Sequence, residues 1–350
     1  MRRFRYLLEL LHNGDVLGRH PVTPDNFAPA LEWLSFQAMR SGALPLELGA
    51  HPEIEYAPVW DAQRGEPYVE AIRLTTTGPT EGDIPAVYFS RLAEEASATF
   101  VTEGKLKQGE LFRFRVVAFG CAEEADHGDV SGNGDAGAFE EVPQPLACEE
   151  SRLEALLDHA EVRGTAQPGE MPVLIPQRVL DEAEALKREA GGLETGGILL
   201  GRLHRDSERR ELCLEVTTQI PARHTEAREM RLTFTADTWT SVRAAIELRG
   251  NDELQIGWWH THPAREWCKD CDPERWKTCP LARSFFSPED KKLHQMIFPR
   301  AYSVALVLGD HYRDGEAWEA FHAVYGWDRG MVSQRGYHVA AAPKARNEAM

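Results

Sequence analysis

The chain has 350 residues, 42% of them hydrophobic, with a net charge of −17 at pH 7 and six cysteines. This length allows two domains, each with its own core. The charge argues against a nucleic-acid partner, because that affinity comes mainly from Lys and Arg at phosphates. No apolar run approaches the roughly 20 residues that cross a bilayer, and no signal-peptide pattern is present. We therefore expect a cytoplasmic protein with reduced thiols and no membrane partner.

Residues 1–120 are predicted to form a small α+β domain. Asn13-Gly14 between two apolar runs predicts a hairpin within residues 4–23. Further elements follow from period-2 and period-3.6 patterns: a helix over 27–38, strands at 53–59 and 68–75, a helix over about 85–98, and a strand over 111–119. We find no catalytic cluster here. The domain is interpreted as a substrate- or partner-recognition module, or equally as a dimerisation unit.

Residues 121–170 are predicted to be an acidic, Gly-rich linker. No Lys or Arg occurs between Arg115 and Arg152, whereas acidic residues accumulate among Gly, Ser and Asn. Such a composition cannot bury enough apolar surface to offset the entropy of ordering. A short helix is expected at 151–159.

The second predicted domain covers residues 171–335 and alternates strands with helices. A strand at 173–175 precedes a helix that begins at Pro176 and stops at Gly191-Gly192. The later expected elements are strands at 194–201, 212–216, 231–234 and 254–262, helices at 237–248 and 287–297, and strands at 302–308 and 318–325. Residues 336–350 are expected to be a frayed tail.

His260 and His262 lie two apart at the end of an apolar run. Residues two apart in a strand share one face, so both imidazoles can face one point, as a metal requires. Two ordinary histidines are the more common explanation of such a pair. Pro263 is expected to end the strand.

Two other signals accompany the histidine pair. A capping box is predicted at Ser287-Pro288-Glu289-Asp290, with Ser287 as the N-cap and Asp290 in the first helical turn. Glu194 begins an apolar, glycine-rich strand, where half-buried glutamates are uncommon. Each signal also has an ordinary structural explanation, namely a helix cap and a solvated residue at a loop–strand junction.

Glu194 in ETGGILLG, His260 and His262 in GWWHTHP, and Ser287 with Asp290 in SPED together resemble the motif of the JAMM, or MPN-plus (Mov34/JAB), zinc metalloproteases. The elements occur in the family's order, and the resemblance covers only the second domain. It implies a JAB/MPN-like, cytidine-deaminase-like central sheet flanked by helices. The expected class of the whole chain is therefore α/β of the α+β type.

The resemblance also implies roles for these residues. His260, His262 and Asp290 would hold a catalytic Zn²⁺ and leave its fourth position to water. Glu194 would be the general base and acid, and Ser287 would donate a hydrogen bond to the oxyanion.

The activity implied is that of a zinc isopeptidase that cuts after the C-terminus of a ubiquitin-like protein, in a bacterium. Its partners would be that protein or its conjugate, and activating or conjugating enzymes of the same pathway. An alternative is a processing protease that matures a ubiquitin-like or sulfur-carrier precursor. An alternative from another class is a non-catalytic scaffold.

The segment between the two halves of the motif is unusually long. The 24 residues between His262 and Ser287 include Cys268, Cys271 and Cys279. This CxxC-based pattern predicts a second, structural zinc site, and three unpaired thiols are the alternative. A structural zinc site needs a fourth ligand, and the candidates are Asp270, Asp272, His294 and Cys213.

Overall fold

A computed structural model describes residues 3–49, 52–121, 144–222, 234–249, 253–282, 285–313 and 317–340. The chain divides into two compact units, residues 1–146 with 328–331, and residues 147–327 with 332–350. Both units combine helices with β-sheet, which confirms a mixed α/β class and is compatible with the α+β type. No helix in the described ranges is long and apolar enough to cross a membrane.

The first unit is built on an antiparallel sheet with the order β2-β1-β7-β5-β4, and β6 pairs with β5. A separate pair joins β3 to β8. The strands are β1 (Arg3–His12), β2 (Asp15–Pro21), β3 (Glu47–Leu48), β4 (Ile54–Trp60), β5 (Tyr68–Thr76), β6 (Glu81–Pro85), β7 (Arg113–Cys121) and β8 (Gln144–Pro145). The helices are α1 (Ala28–Arg40) and α2 (Ser90–Thr102).

The predicted hairpin of the first unit is confirmed. Asn13 and Gly14 join β1 to β2 with φ of 51° and 94°. Two consecutive positive φ values match the twist of a two-residue hairpin, and Asn-Gly adopts them at low cost. The sequence did not predict β6, because it is a short strand with one buried side chain, that of Ile84.

The second unit contains a sheet with the order β10-β18-β11-β13-β12-β14-β15-β16-β17, and β9 pairs with β12. β11 runs parallel to β13 and β18, and β14 runs parallel to β15. The strands are β9 (Cys148–Glu150), β10 (Glu161–Arg163), β11 (Val173–Pro176), β12 (Gly196–Asp206), β13 (Glu211–Pro221), β14 (Leu254–His262), β15 (Val304–Arg313), β16 (Ala317–Asp328), β17 (Met331–Arg335) and β18 (Tyr337–Ala340).

Six helices accompany this sheet among the described residues. They are α3 (Leu153–Leu156), α4 (Gln177–Ala190), α5 (Ala236–Arg249), α6 (Ala264–Trp267), α7 (Pro273–Trp276) and α8 (Pro288–Ile297). α4 buries Val179, Leu180 and Ala183, and Gly191 ends it with a φ of 62°. The helix predicted to begin at Pro176 and stop at Gly191-Gly192 corresponds to α4, and the predicted helices at 237–248 and 287–297 correspond to α5 and α8.

The domain boundaries differ from the sequence prediction at both ends of the second unit. Residues 148–163, which we placed in the linker, supply β9, α3 and β10, and Leu153 is buried against Leu174 and Cys213. Residues 337–340, which we placed in the tail, form β18 between β10 and β11. The short helix expected at 151–159 corresponds to α3. The strands β9, β10 and β18 are too short to show a periodic pattern, so only their distant partners define them. Residues 122–143, 231–233 and 341–350 of these predictions lie outside the described residues.

The glycines of β12 allow close approach of neighbouring chain, as expected from ETGGILLG. A Cβ atom at Gly197 would lie 2.3 Å from the Ile220 carbonyl oxygen, and one at Gly201 would lie 2.1 Å from the Glu215 carbonyl oxygen. β12 therefore fits tightly between β13 and β14, and this position fixes the loop that carries Glu194.

Candidate metal centre

β14 presents His260 and His262 on the same face of the sheet. The strand lies inside the sheet, antiparallel to β12 and parallel to β15, and both histidines are buried. Their Nε2 atoms are 3.0 Å apart. The strand ends at His262, directly before Pro263, as predicted.

α8 supplies the third side chain of the cluster. The backbone N–H of Asp290 donates to Ser287 Oγ at 3.0 Å, and the backbone N–H of Ser287 donates to Asp290 Oδ2 at 2.8 Å, which is the predicted capping box. This cap fixes the Asp290 carboxylate next to the histidines. Its Oδ1 lies 3.4 Å from His260 Nε2, and its Oδ2 lies 3.6 Å from His262 Nε2.

These donor atoms fit a small cation. Tetrahedral coordination with bonds of about 2.0–2.1 Å places two ligand atoms about 3.3 Å apart. The three separations of 3.0, 3.4 and 3.6 Å bracket that value. Among the described residues, His260, His262 and Asp290 form the one group of three potential ligand atoms within 4.8 Å of one another. Two nearly buried imidazoles and a carboxylate can hold a divalent metal, and the donor set does not by itself select zinc.

Glu194 lies at the edge of the same cluster, just before β12. Its Oε1 is 4.0 Å from His262 Nε2, and its side chain is 8% exposed. Two backbone contacts hold the following residue, because Thr195 N–H donates to Thr261 Oγ1 and Thr261 N–H donates to the Thr195 carbonyl. The start of β12 is therefore fixed directly against the histidine strand.

Burial and charge separate the pKa values of the two carboxyl groups. Burial raises the pKa of Glu194 to about 7; His260 opposes this rise and Asp290 adds to it. Burial would also raise the pKa of Asp290, but the two histidines outweigh it and hold that pKa well below its usual range. Burial lowers the pKa of His262 despite the opposing effect of Asp290. Asp290 is thus a stable anion, whereas Glu194 can exchange a proton near neutral pH.

Several aromatic side chains that the sequence analysis did not assign to the site support these ligands. The Trp258 ring stacks on His260 with centroids 4.4 Å apart, and its indole N–H donates to His294 Nδ1 at 3.1 Å. Phe285 stacks on His262 at 4.3 Å. The sequence spacing could have indicated this support. Trp258 is two residues before His260 in a strand, and His294 is four residues after Asp290 in a helix, so each lies on the same face as the ligand.

Trp267 connects the inserted segment with Glu194. Its ring lies 5.9 Å from that of His262, and its indole N–H donates to the Gly192 carbonyl at 3.0 Å. Gly192 is two residues before Glu194. The first helix of the insert, α6, therefore contacts both the histidine strand and the Glu194 loop.

The three cysteines of the insert lie close together. Cys268 is buried, its Sγ lies 4.0 Å from that of Cys279, and its backbone carbonyl accepts a hydrogen bond from the Cys271 N–H at 2.9 Å. Of the predicted candidates for a fourth ligand, Cys213 packs against Leu153 and Leu174 in another part of the unit.

The remaining candidates have other surroundings. His294 accepts from Trp258, and Asp272 accepts from the Glu274 N–H as the N-cap of α7. Asp270 is exposed.

No protein family model matches the chain, and no curated protein matches it. Among solved structures, the chain is similar to protein DSY2949 from Desulfitobacterium hafniense, with 17% identity and a TM-score of 0.30. That match covers 50% of this chain and 97% of the other.

Proposed function

We propose that the second unit is a zinc-dependent isopeptidase or protease of the JAMM type, which cleaves after the C-terminus of a ubiquitin-like protein. One observation carries this proposal: two buried histidines and a capped aspartate converge within 3.6 Å, with a glutamate beside them whose pKa is near 7. Metal-assisted hydrolysis of an isopeptide bond needs this combination of a fixed cation site and an adjacent proton carrier.

His260, His262 and Asp290 would hold the metal. A bound Zn²⁺ supplies Lewis-acid chemistry, because it lowers the pKa of water to about 7 and polarises a carbonyl group. Asp290 contributes negative charge that its low pKa preserves, and His262, whose pKa is lowered by burial, contributes a neutral nitrogen donor. The buried His260 contributes the second ring nitrogen. The Trp258 ring and the Phe285 ring hold the two imidazoles in place from the outside.

Glu194 is proposed to carry the proton. Its carboxylate would accept a proton from the attacking water and deliver it to the leaving amine. A carboxyl group with a pKa near the working pH performs both transfers, since it is neither a permanent anion nor a permanent acid. The desolvation that raises its pKa follows from the burial of the Glu194 side chain.

Ser287 is proposed to stabilise the oxyanion. In the capping box its Oγ accepts from the Asp290 N–H, which leaves the hydroxyl hydrogen available as a donor. Removing one such donor typically costs about 2.7–4 kcal/mol of transition-state stabilisation.

The proposed partners are a ubiquitin-like protein or its conjugate, and enzymes that activate or conjugate it. The first unit is proposed to recognise one of these, because it has its own core and contains none of the four groups at the metal centre. The arrangement of β12, β14 and β15 with α8 is proposed to be JAB/MPN-like, because it places the glutamate, the HxH pair and the SxxD helix together in that family's order.

The test compares wild type with Glu194→Gln and a matched control, Glu189→Gln, whose side chain is exposed on α4. Candidate ubiquitin-like proteins encoded beside the gene are supplied in two forms, linked to a lysine side chain and extended by a peptide. Wild type and the control should cleave at least one form. Glu194→Gln should bind metal normally, but its cleavage rate should be lower by a factor of about 100 or more.

The two substrate forms also separate the alternatives. Cleavage restricted to the peptide-extended form would assign precursor processing. Full activity of Glu194→Gln would refute the proposed base. Metal binding with no cleavage of either form would identify a scaffold.

A further inference from the structure

The inserted segment, defined here as residues 264–282, has almost no apolar core of its own. Its regular structure consists of α6, α7 and a 3-10 turn at Pro280–Ala282, each of three or four residues. Its buried residues are Ala264, Cys268 and Ala282. Such short elements do not hold a fixed shape by themselves, and small folds of this kind are commonly stapled by metals or disulfides.

The thiols occupy the place where that core would be. Cys271 and Cys279 are half-buried, and the Sγ of Cys279 lies 4.0 Å from that of the buried Cys268. The Cys271 N–H donates to the Cys268 carbonyl at 2.9 Å, so the CxxC sequence forms a tight turn. The Trp276 indole N–H fixes the same turn by donating to the Cys268 carbonyl at 3.0 Å.

We propose that Cys268, Cys271 and Cys279 bind a second divalent metal of the zinc class as thiolates, and that this metal fixes the insert against the catalytic site. Zinc–thiolate bonds of about 2.3 Å place tetrahedral sulfurs about 3.8 Å apart. The Cys268–Cys279 separation of 4.0 Å is close to that value. Unlike the histidine–aspartate ligands, the three sulfurs do not all lie within 4.8 Å of one another, so the proposed site requires Cys271 or Cys279 to rotate inward on metal binding.

The burial of Cys268 and its closeness to Cys279 suit a shared metal ligand. The two Sγ atoms lie 4.0 Å apart, and Cys268 is buried. A divalent ion deprotonates the thiols that it coordinates, so metal loading of the insert would release protons.

The consequence for catalysis follows from the residue next to Cys268. Trp267 contacts His262 and donates to the Gly192 carbonyl in the Glu194 loop. At the other end of the insert, Trp276 packs on Tyr312 and Trp318, with ring centroids 5.2 and 5.5 Å apart. A metal between these anchors holds the insert as one rigid piece, and Trp267 transmits that rigidity to the Glu194 loop.

The experiment replaces bound metal by Co²⁺ in the full-length, reduced protein and records the thiolate-to-cobalt charge-transfer absorption. The His260→Ala/His262→Ala variant removes the first site, so any thiolate band in it reports the insert alone. We expect this variant to keep the band with about one bound cobalt, and Cys279→Ser and Cys271→Ser to lose it. Cys121→Ser, at an exposed cysteine outside the insert, is the matched control and should keep it.

A second readout makes the result independent of variant folding. Bound metal should protect three thiols of the native wild-type protein from alkylation, and a chelator should expose them. Absence of the charge-transfer band in the wild type, with these thiols alkylated at the same rate before and after chelation, would overturn the proposal. A Cys268–Cys279 disulfide in the reduced protein would overturn it as well. Neither result bears on cleavage, which His260, His262 and Glu194 test separately.

Discussion

Replacing His294 by leucine should change the pH dependence of stability in a predictable direction. His294 is fully buried on α8, and burial lowers its pKa from 6.5 to about 3. Between these values the unfolded chain binds a proton that the folded protein does not, so wild-type stability falls as the pH drops below about 6.5. A pH of 5 lies about 1.5 units below the ordinary histidine pKa of 6.5, so at 1.36 kcal/mol per unit the folded protein loses roughly 2 kcal/mol of stability at pH 5.

The variant should show two opposite effects. At pH 8 it should be less stable by about 1–3 kcal/mol, because the Trp258 indole N–H loses its acceptor in a buried site. Between pH 8 and pH 5 it should lose about 2 kcal/mol less than the wild type, because the titrating group is gone.

Urea denaturation of the chelator-treated protein at both pH values measures these differences. The control is His159→Asn, since the side chain of His159 is 90% exposed and asparagine tolerates its positive φ. The control should retain the full wild-type loss. An equal pH-dependent loss in wild type and His294→Leu would show that His294 is not held neutral by burial.

Three further results are expected. Trp267→Phe should keep the ring near His262 but lose the hydrogen bond to Gly192, which lowers kcat about 5-fold for roughly 1 kcal/mol, with metal content unchanged by mass spectrometry. Gly257→Ala should lower the free energy of unfolding by about 3 kcal/mol or more and reduce the melting temperature, because its Cβ would lie 1.8 Å from the Val304 carbonyl oxygen. The control Gly192→Ala makes only an ordinary 3.6 Å contact and should keep the wild-type melting temperature. The cleavage rate should fall as the pH drops below about 7, because Glu194 becomes protonated; a flat profile between pH 5 and 8 would contradict its role as base.

Local patterns were sufficient for the elements that carry the candidate ligands. The alternation before His260 defines β14, and the Ser287–Asp290 capping box defines the start of α8, because both signals depend on neighbours within four residues. The motif order then suggested that these elements meet near Glu194, and the structure brings them within 4.0 Å.

Features that depend on distant partners could not be predicted in the same way. β10 and β18 are three- and four-residue strands that exist because each pairs with the other, about 175 residues away along the chain. The support of His260 by Trp258 and His294 also depends on how β14 and α8 pack. Tertiary contacts determine these features, so periodicity alone does not reveal them.

The spacing of the four groups at the metal centre has a consequence during synthesis. Glu194, His260, His262 and Asp290 come from three elements spread over 97 residues, and β12 and β14 must already be paired for them to meet. A chain that is still leaving the ribosome therefore has no complete centre until α8 has emerged. In the proposed hydrolase, peptide-cutting chemistry is withheld from the growing chain itself, and activity begins only when the sheet is assembled.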